Sequence, residues 1–348
     1  MKFFALDCHI GINDIKTIFE RLGHTLDIWS ISRATHILGW EQKFPKHIDN
    51  SNWYSFNHQV ASKFAEEYKD VLKTYDGFVC FYPAAFSLIY DYFEKPIIIQ
   101  APIRTDVPFH HSEQYSREFY NFLSRKIESG KIIPIANNKL DVEYNSILTK
   151  KQWSYIPSLC DYTGAVHEPK KDKVIYTGFN RIKLPNIKGL EQRSGYGGMS
   201  WEEIYSYKGI VHLPYHNSIM SCFEQYQAGV PLYFPSKDFL IQLKKQYPHY
   251  IMNEMSWQQI DKIKPVQRKV FTEKNIVDLA NWTNPECMDY WIPKCDWYDS
   301  EWMNSINYYN SFEHLKQMIT NNEQTVQSGL EYRKDRIINL WKDILRKI

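Results

Sequence analysis

The chain has 348 residues, 43% of them hydrophobic and 24% charged, with 42 Lys and Arg against 40 Asp and Glu for a formal net charge of +2. Such a composition excludes a disordered chain, and the scattered basic residues lack the concentrated block that marks a nucleic-acid footprint. The length exceeds what one hydrophobic core usually supports, so two domains are expected.

In chain order, strand-like runs alternate with helical ones, the pattern of parallel sheets with crossover helices. MKFFALDCHI reads as a strand, residues 13–22 as a helix ended by Gly23, and TLDIWSIS as a second strand. An amphipathic helix over 61–73, the buried strand GFVCFY, a short helix over 87–93 and the strand KPIIIQAP follow. A helix over 115–129 and the strands KIIPIANN and WSYIPSL close this half, giving a first domain over 1–166. The polar run HEPKKDK at 167–173 is the expected linker. A second domain over 174–310 opens with VIYTGF, runs through a helix in SWEEIYSY to the strand GIVHLPY, and gains helices over 236–247 and 273–281. Residues 311–348 hold two helical stretches expected to pack across the domains.

The six cysteines are widely spaced without a CxxC pair, and the twelve histidines lack HExxH spacing, so buried reduced thiols and no bound metal are expected. The longest apolar run, Phe78 to Tyr90, is interrupted by Pro83 and falls short of the ~20 residues a bilayer-spanning helix needs. The opening FFALDCHI lacks a signal peptide's basic start and cleavage site, so a soluble, cytoplasmic protein without a membrane span is expected. The tryptophan-rich stretch 282–302 offers aromatic faces either for packing or for a sugar ring.

Residues 209–236, GIVHLPYHNSIMSCFEQYQAGVPLYFPS, carry the most chemistry. They read as strand, polar loop, a helix starting near Ser221 with Glu224 in its first turn, a Gly-Val-Pro break and a second strand. A helix N-terminus turns unpaired amides toward phosphates, and a carboxylate there accepts hydrogen bonds from ribose hydroxyls. Any strand-helix-strand piece of an α/β protein shares part of this pattern. In that bland reading Glu224 interacts with the helix dipole and Arg181 is a solvated charge.

This segment resembles the donor-binding region of GT-B glycosyltransferases with a Glu-x7-Glu motif. Glu224 matches the second glutamate, Gln227-Ala228-Gly229-Val230-Pro231 the following break and His212-Leu213-Pro214 the strand leading in, while His216 replaces the first glutamate. Gly195-Tyr196-Gly197-Gly198 and Phe179-Asn180-Arg181 with Lys188-Gly189 resemble flanking turns of the family, although the second domain is abbreviated. The resemblance implies an α/β protein of two Rossmann-like domains facing a cleft. It implies transfer of a sugar from a nucleotide diphosphate sugar to an acceptor hydroxyl of a glycan or protein, without metal or cofactor. The same architecture also suits a nucleotide-sugar epimerase or hydrolase, or a non-catalytic glycan- or nucleotide-binding protein.

On this reading Arg181, Lys183 and Lys188 supply charge to the diphosphate. His216, Asn217, Ser218, Ile219, Met220 and Ser221 surround it, and Glu224 takes the ribose. The acceptor side falls at the carboxyl ends of the first domain's strands. There His9 is a candidate base or hydrogen-bond donor, or a satisfied loop histidine, and Asp106 a candidate base, with Arg104, Thr105 and His110 at the same edge.

Overall fold

The computed structural model describes residues 1–178, 182–252, 269–271, 276–278 and 285–348. They divide into two compact units, one of Met1–Pro157 with Arg336–Ile348, the other of the described residues between Ser158 and Asp335.

The first unit contains β1 (Lys2–Asp7), α1 (Asn13–Arg21), β2 (Thr25–Ser30), α2 (His58–Glu67), α3 (Lys69–Leu72), β3 (Gly77–Cys80) and α4 (Ser87–Tyr90). It continues through β4 (Ile97–Ala101), α5 (Glu113–Glu128), β5 (Ile132–Ala136), α6 (Lys139–Thr149) and β6 (Ser154–Tyr155). All six strands are parallel, in the order β2-β1-β3-β4-β5-β6. β3 and β4 are buried along their whole length, as a parallel sheet covered on both faces requires.

The second unit contains β7 (Lys171–Tyr176), β8 (Leu190–Gln192), α7 (Trp201–Ile204), β9 (Tyr207–Val211), α8 (Met220–Gln227), β10 (Leu232–Pro235) and α9 (Lys237–Gln246). An antiparallel pair, β11 (Lys269–Phe271) with β12 (Ile276–Asp278), precedes α10 (Pro285–Trp291), β13 (Ile306–Tyr309) and α11 (Phe312–Asn321). α12 (Leu330–Leu345) is divided, its residues through Asp335 belonging to the second unit and the rest to the first. The five-stranded sheet is parallel in the order β13-β10-β9-β7-β8. Counted from its own first strand, this is the same doubly wound order as the first unit's, with the strand order reversing beside β7 as it reverses beside β1. Both units are therefore Rossmann-like α/β domains.

Several elements depart from the sequence expectation. The helix expected over 61–73 is broken at Tyr68, whose ring lies 5.0 Å from Trp29 and 4.7 Å from Phe64 and whose hydroxyl accepts from the Lys46 amide at 2.8 Å. Residues 139–149 form a helix that was not expected, capped by Asn138, which accepts from the Asp141 amide at 2.7 Å. The run 167–173 runs into the sheet: His167 N donates to Ala228 O at 2.8 Å, and Lys171–Lys173 open β7. In SWEEIYSY only Trp201–Ile204 are helical, because Tyr207 already begins β9. Within the helix expected over 273–281, Ile276–Asp278 form a strand, and the remaining positions lie outside the described residues.

Candidate functional site

In an open parallel sheet a ligand crevice forms outside the carboxyl ends of the strands, where the strand order reverses. In the second unit that point lies between β7 and β9. The loop after β7 begins with Thr177 and Gly178, and the loop after β9 runs from His212 to Ile219 into α8. Gly178 has φ +56°, and a Cβ there would meet the Arg193 carbonyl oxygen at 2.8 Å. Only glycine accepts both demands. Gly178→Ala is expected to lower stability by about 2 kcal/mol or more, read as a lower urea midpoint. Gly197→Ala, at φ +46° in open space, is expected to lose only the backbone term of about 1 kcal/mol.

A hydrogen-bonded relay binds the glycine-rich turn to this crevice. The Gln225 amide donates to the Tyr196 hydroxyl at 2.8 Å, and Gln225 Oε1 lies 2.7 Å from His212 Nε2. Tyr196 also bonds to the Thr177 side chain, and Gly195 N donates to Thr177 O at 2.5 Å. Burial pushes the His212 pKa down to about 4, against a smaller opposing effect of the Gln225 bond, so the ring is neutral and donates from Nε2. Tyr196 entered the sequence reading only as part of its glycine turn and Gln225 had no assigned role, since a Gln on a helix face gives no pattern until its partner strand is known.

α8 begins at Met220 with Ile219 at its N-cap and no side-chain capping bond. His216, Asn217, Ser218 and Ile219 are all buried, and the Ser218 amide donates to His216 Nδ1 at 3.2 Å. The loop that carries His216 is therefore internally braced. Met220 and Ser221 are partly exposed, and Lys183 and Lys188 are exposed on the β7–β8 connection. Arg181 lies outside the described residues.

Glu224 stands on the second turn of α8, one turn further in than the sequence reading placed it. Its carboxylate accepts from the Tyr162 hydroxyl and is also bonded by the Trp201 side chain. Burial raises its pKa above the ordinary carboxylate value, and those two donors oppose the rise. A carboxylate offers about four lone-pair sites, so two bonds leave acceptor capacity.

In the first unit the order reverses between β1 and β3. Asp7, fully buried at the end of β1, accepts the backbone amides of His9 at 2.7 Å and Tyr82 at 2.8 Å, joining the two loops at this point. Burial raises the Asp7 pKa well above its ordinary value, against the backbone bonds that lower it. His9 Nδ1 accepts from the Gly11 amide at 3.0 Å, which places the imidazole proton on Nε2. Desolvation lowers the His9 pKa although the residue as a whole is exposed, and the acceptor role of Nδ1 favours the same neutral form. In this arrangement His9 is a hydrogen-bond donor rather than a base.

Asp106, the expected candidate base, is tied to its neighbours. It is 1% exposed, with both oxygens bonded by Arg104 at 2.6 Å and one also by Ser116 at 2.9 Å. Burial raises its pKa, but Arg104 and Ser116 outweigh that and leave it lowered. A carboxylate so committed is a poor proton acceptor. Thr105 is buried and donates to Asn145 at 2.8 Å, and His110 is half-buried beside this group. The tryptophans of the 282–302 stretch are also packing groups: Trp291 and Trp297 are fully buried and Trp302 is 6% exposed, while Trp282 lies outside the described residues.

Among the described residues no group of three or more His, Cys, Asp or Glu is arranged to hold a metal ion, and no helix is long and apolar enough to cross a membrane.

No protein-family model and no curated protein matches the chain. Solved structures do align with it. The calicheamicin glycosyltransferase CalG4 matches at 9% identity and a TM-score of 0.37, over 99% of this chain and 94% of that one. The glycotransferase of kitacinnamycin matches at 10% identity and a TM-score of 0.41, over 100% and 98%. MurG of Acinetobacter baumannii matches at 8% identity and a TM-score of 0.36, over 92% and 99%. At these scores the likeness carries no argument about activity, and the functional reading rests on the loops at the two strand-order reversals.

Proposed function

We propose that the chain is a GT-B glycosyltransferase. On this reading its second unit holds a nucleotide diphosphate sugar without a metal ion, and its first unit holds the acceptor whose hydroxyl displaces the nucleoside diphosphate. The observation that carries the reading is α8: an uncapped helix start at the strand-order reversal, with a carboxylate one turn in. Helix-start amides and Lys183 or Lys188 suit a diphosphate, and Glu224 suits a ribose diol. His9, donating from Nε2, orients an acceptor oxygen.

The test is a thermal-shift screen against UDP, GDP, ADP, CMP and TDP with and without Mg²⁺, because a ligand that binds only the native state raises its apparent stability. A shift selective for one nucleoside diphosphate and indifferent to Mg²⁺ is expected. Glu224→Ala is expected to weaken that binding by about 1 to 3 kcal/mol, and Glu301→Ala, on the exposed surface, to leave it unchanged. Equal effects from the two variants would remove the assignment.

One specific observation favours a second reading, a non-catalytic glycan- or nucleotide-binding protein. His9 Nδ1 and both Asp106 oxygens are already engaged, so neither expected base is available as arranged. Nucleotide binding without release of sugar from any donor would favour it.

A further inference from the structure

The 27 residues from Ile31 to Asn57, between β2 and α2, leave the sheet at the same carboxyl edge as His9. Within them the turn at Asp49 is heavily braced. Asp49 Oδ1 accepts from the Ser51 amide at 2.7 Å, the Ser51 hydroxyl at 2.6 Å and the Asn52 amide at 3.1 Å, and Asn52 Oδ1 accepts the Asp49 amide at 2.8 Å. Two aromatic anchors follow. Trp53 is 5% exposed, and Phe56 is 4% exposed with its ring 5.1 Å from Phe86. Between these anchors Tyr54 is 59% exposed.

Tyr54 is not a loose side chain. Its ring lies against Trp53 at 3.7 Å between centroids and 30° between planes, so one face is backed by a buried indole and the other is open. The contacts continue inward, from Trp53 to Tyr82 at 5.4 Å and from Tyr82 to His9 at 6.2 Å. A row of rings thus leads from an open tyrosine face to the imidazole at the strand-order reversal.

We infer that this row is a saccharide subsite, with a sugar ring of the acceptor lying on the open face of Tyr54. The inference rests on the glycosyl-transfer reading for the word acceptor, but not for binding itself. An aromatic face carries negative charge density that attracts polarised C–H groups, which one face of a pyranose presents. The hydroxyls at a sugar's edge then reach the phenol oxygen and solvent. A hydrocarbon chain or an aromatic aglycone gains most from an enclosed apolar pocket, whereas a ligand on Tyr54 stays partly wet. The long loop supplies the platform, and the buried Trp53 fixes its orientation at little cost in side-chain freedom.

The experiment follows tryptophan fluorescence, and in parallel ligand-observed NMR saturation transfer, during titration with cellobiose, chitobiose and maltotriose. Decanol and 2-naphthol serve as probes of the other ligand classes. Saturable millimolar binding of at least one saccharide is expected. Tyr54→Ala is expected to weaken it about fivefold, Tyr54→Phe to retain most of it, and both variants to melt like the parent because the side chain is exposed. The nucleotide thermal shift, read on the same Tyr54→Ala protein, is expected to be unchanged. Saccharide binding without any nucleotide shift would remove the transferase reading and keep this one. No saccharide binding at tens of millimolar, binding of decanol or naphthol alone, or binding untouched by Tyr54→Ala overturns it.

Discussion

Arg333→Ala is expected to cost about 3 to 5 kcal/mol, a large share of the 5 to 15 kcal/mol that typically holds a domain folded. Arg333 is 5% exposed on the first turn of α12, and its guanidinium serves four acceptors at once. Nε donates to Trp302 O at 3.1 Å, one terminal nitrogen to Ser158 O at 2.6 Å, and the other to Gln227 Oε1 at 2.8 Å and Leu159 O at 3.5 Å. It therefore ties the first residues of the second unit to the end of α8 and to the segment before β13. The guanidinium also stands 5.6 Å from the Tyr226 ring centre and 6.0 Å from that of Phe223. Alanine removes the fork and strands buried carbonyls that water cannot reach, and that desolvation, more than the lost attraction, sets the size of the effect. Arg333→Lys keeps the charge but cannot span these acceptors, so an intermediate loss is expected. Arg346→Ala, a 66% exposed side chain paired with Asp343 in the same turn region, is expected to change stability by no more than about 0.5 kcal/mol. Urea unfolding of the three variants gives the ranking, and equal midpoints for Arg333→Ala and Arg346→Ala would show that the buried fork is not a structural tie.

The parts of the fold legible in the sequence are those where a physical constraint leaves a local trace. Strands covered on both faces read as continuous apolar runs, so IIIQA and GFVC were visible, and Gly23 at φ +77° announced the end of α1. Elements whose identity depends on a distant partner left little trace. β13 lies in an aromatic stretch that acquires meaning only through its pairing with β10, and β8 is a three-residue edge strand. α6 needed its cap to be seen, because Asn138 and Asp141 read as loop residues until they bond to each other at 2.6 Å.

The site divides along the same line. Its proposed position, at the loops after β1, β7 and β9, follows from strand order, and the elements that set that order were mostly visible. The state of each group was not. Asp106 looked like a free carboxylate because nothing in the linear sequence says that Arg104 folds back onto it with both nitrogens. Asp7 was within view but had no assigned role, since its two bonds are to backbone amides, one of them 75 residues away. The tryptophan-rich stretch, for which packing was one of the two readings, and Tyr54 show that composition does not report exposure. Several aromatics close together were buried, while a single tyrosine between two anchoring rings holds the open face.

Acidification is expected to cost the parent protein about 3 kcal/mol more than His212→Asn between pH 7 and pH 4. His212 donates from Nε2 to Gln225 Oε1 at 2.7 Å, and its ring is stacked 4.6 Å from Phe234, which is in turn stacked 5.0 Å from Trp297. Burial holds its pKa at about 4, below the ordinary 6.5. Between those values the unfolded chain binds the proton and the folded chain does not, so stability rises with pH across that window. The contribution is complete above 6.5 and is lost as pH falls toward 4. Asp7 and Glu224 act in the opposite sense: their raised pKa values give stability at low pH that is lost as pH rises through the folded values. The absolute curve therefore mixes signs, and the difference between parent and variant isolates the histidine. Asparagine keeps a donor for Gln225 and cannot titrate. Urea midpoints measured from pH 4 to pH 8 are expected to converge toward the acid end, and parallel curves would show that His212 is not buried as a neutral donor. The same proton bears on the crevice, because Gln225 joins His212 to Tyr196 and so to the glycine-rich turn beside Thr177. If a nucleotide shift is found, its loss as pH falls toward 4 in the parent and persistence in His212→Asn would place the imidazole in control of that turn.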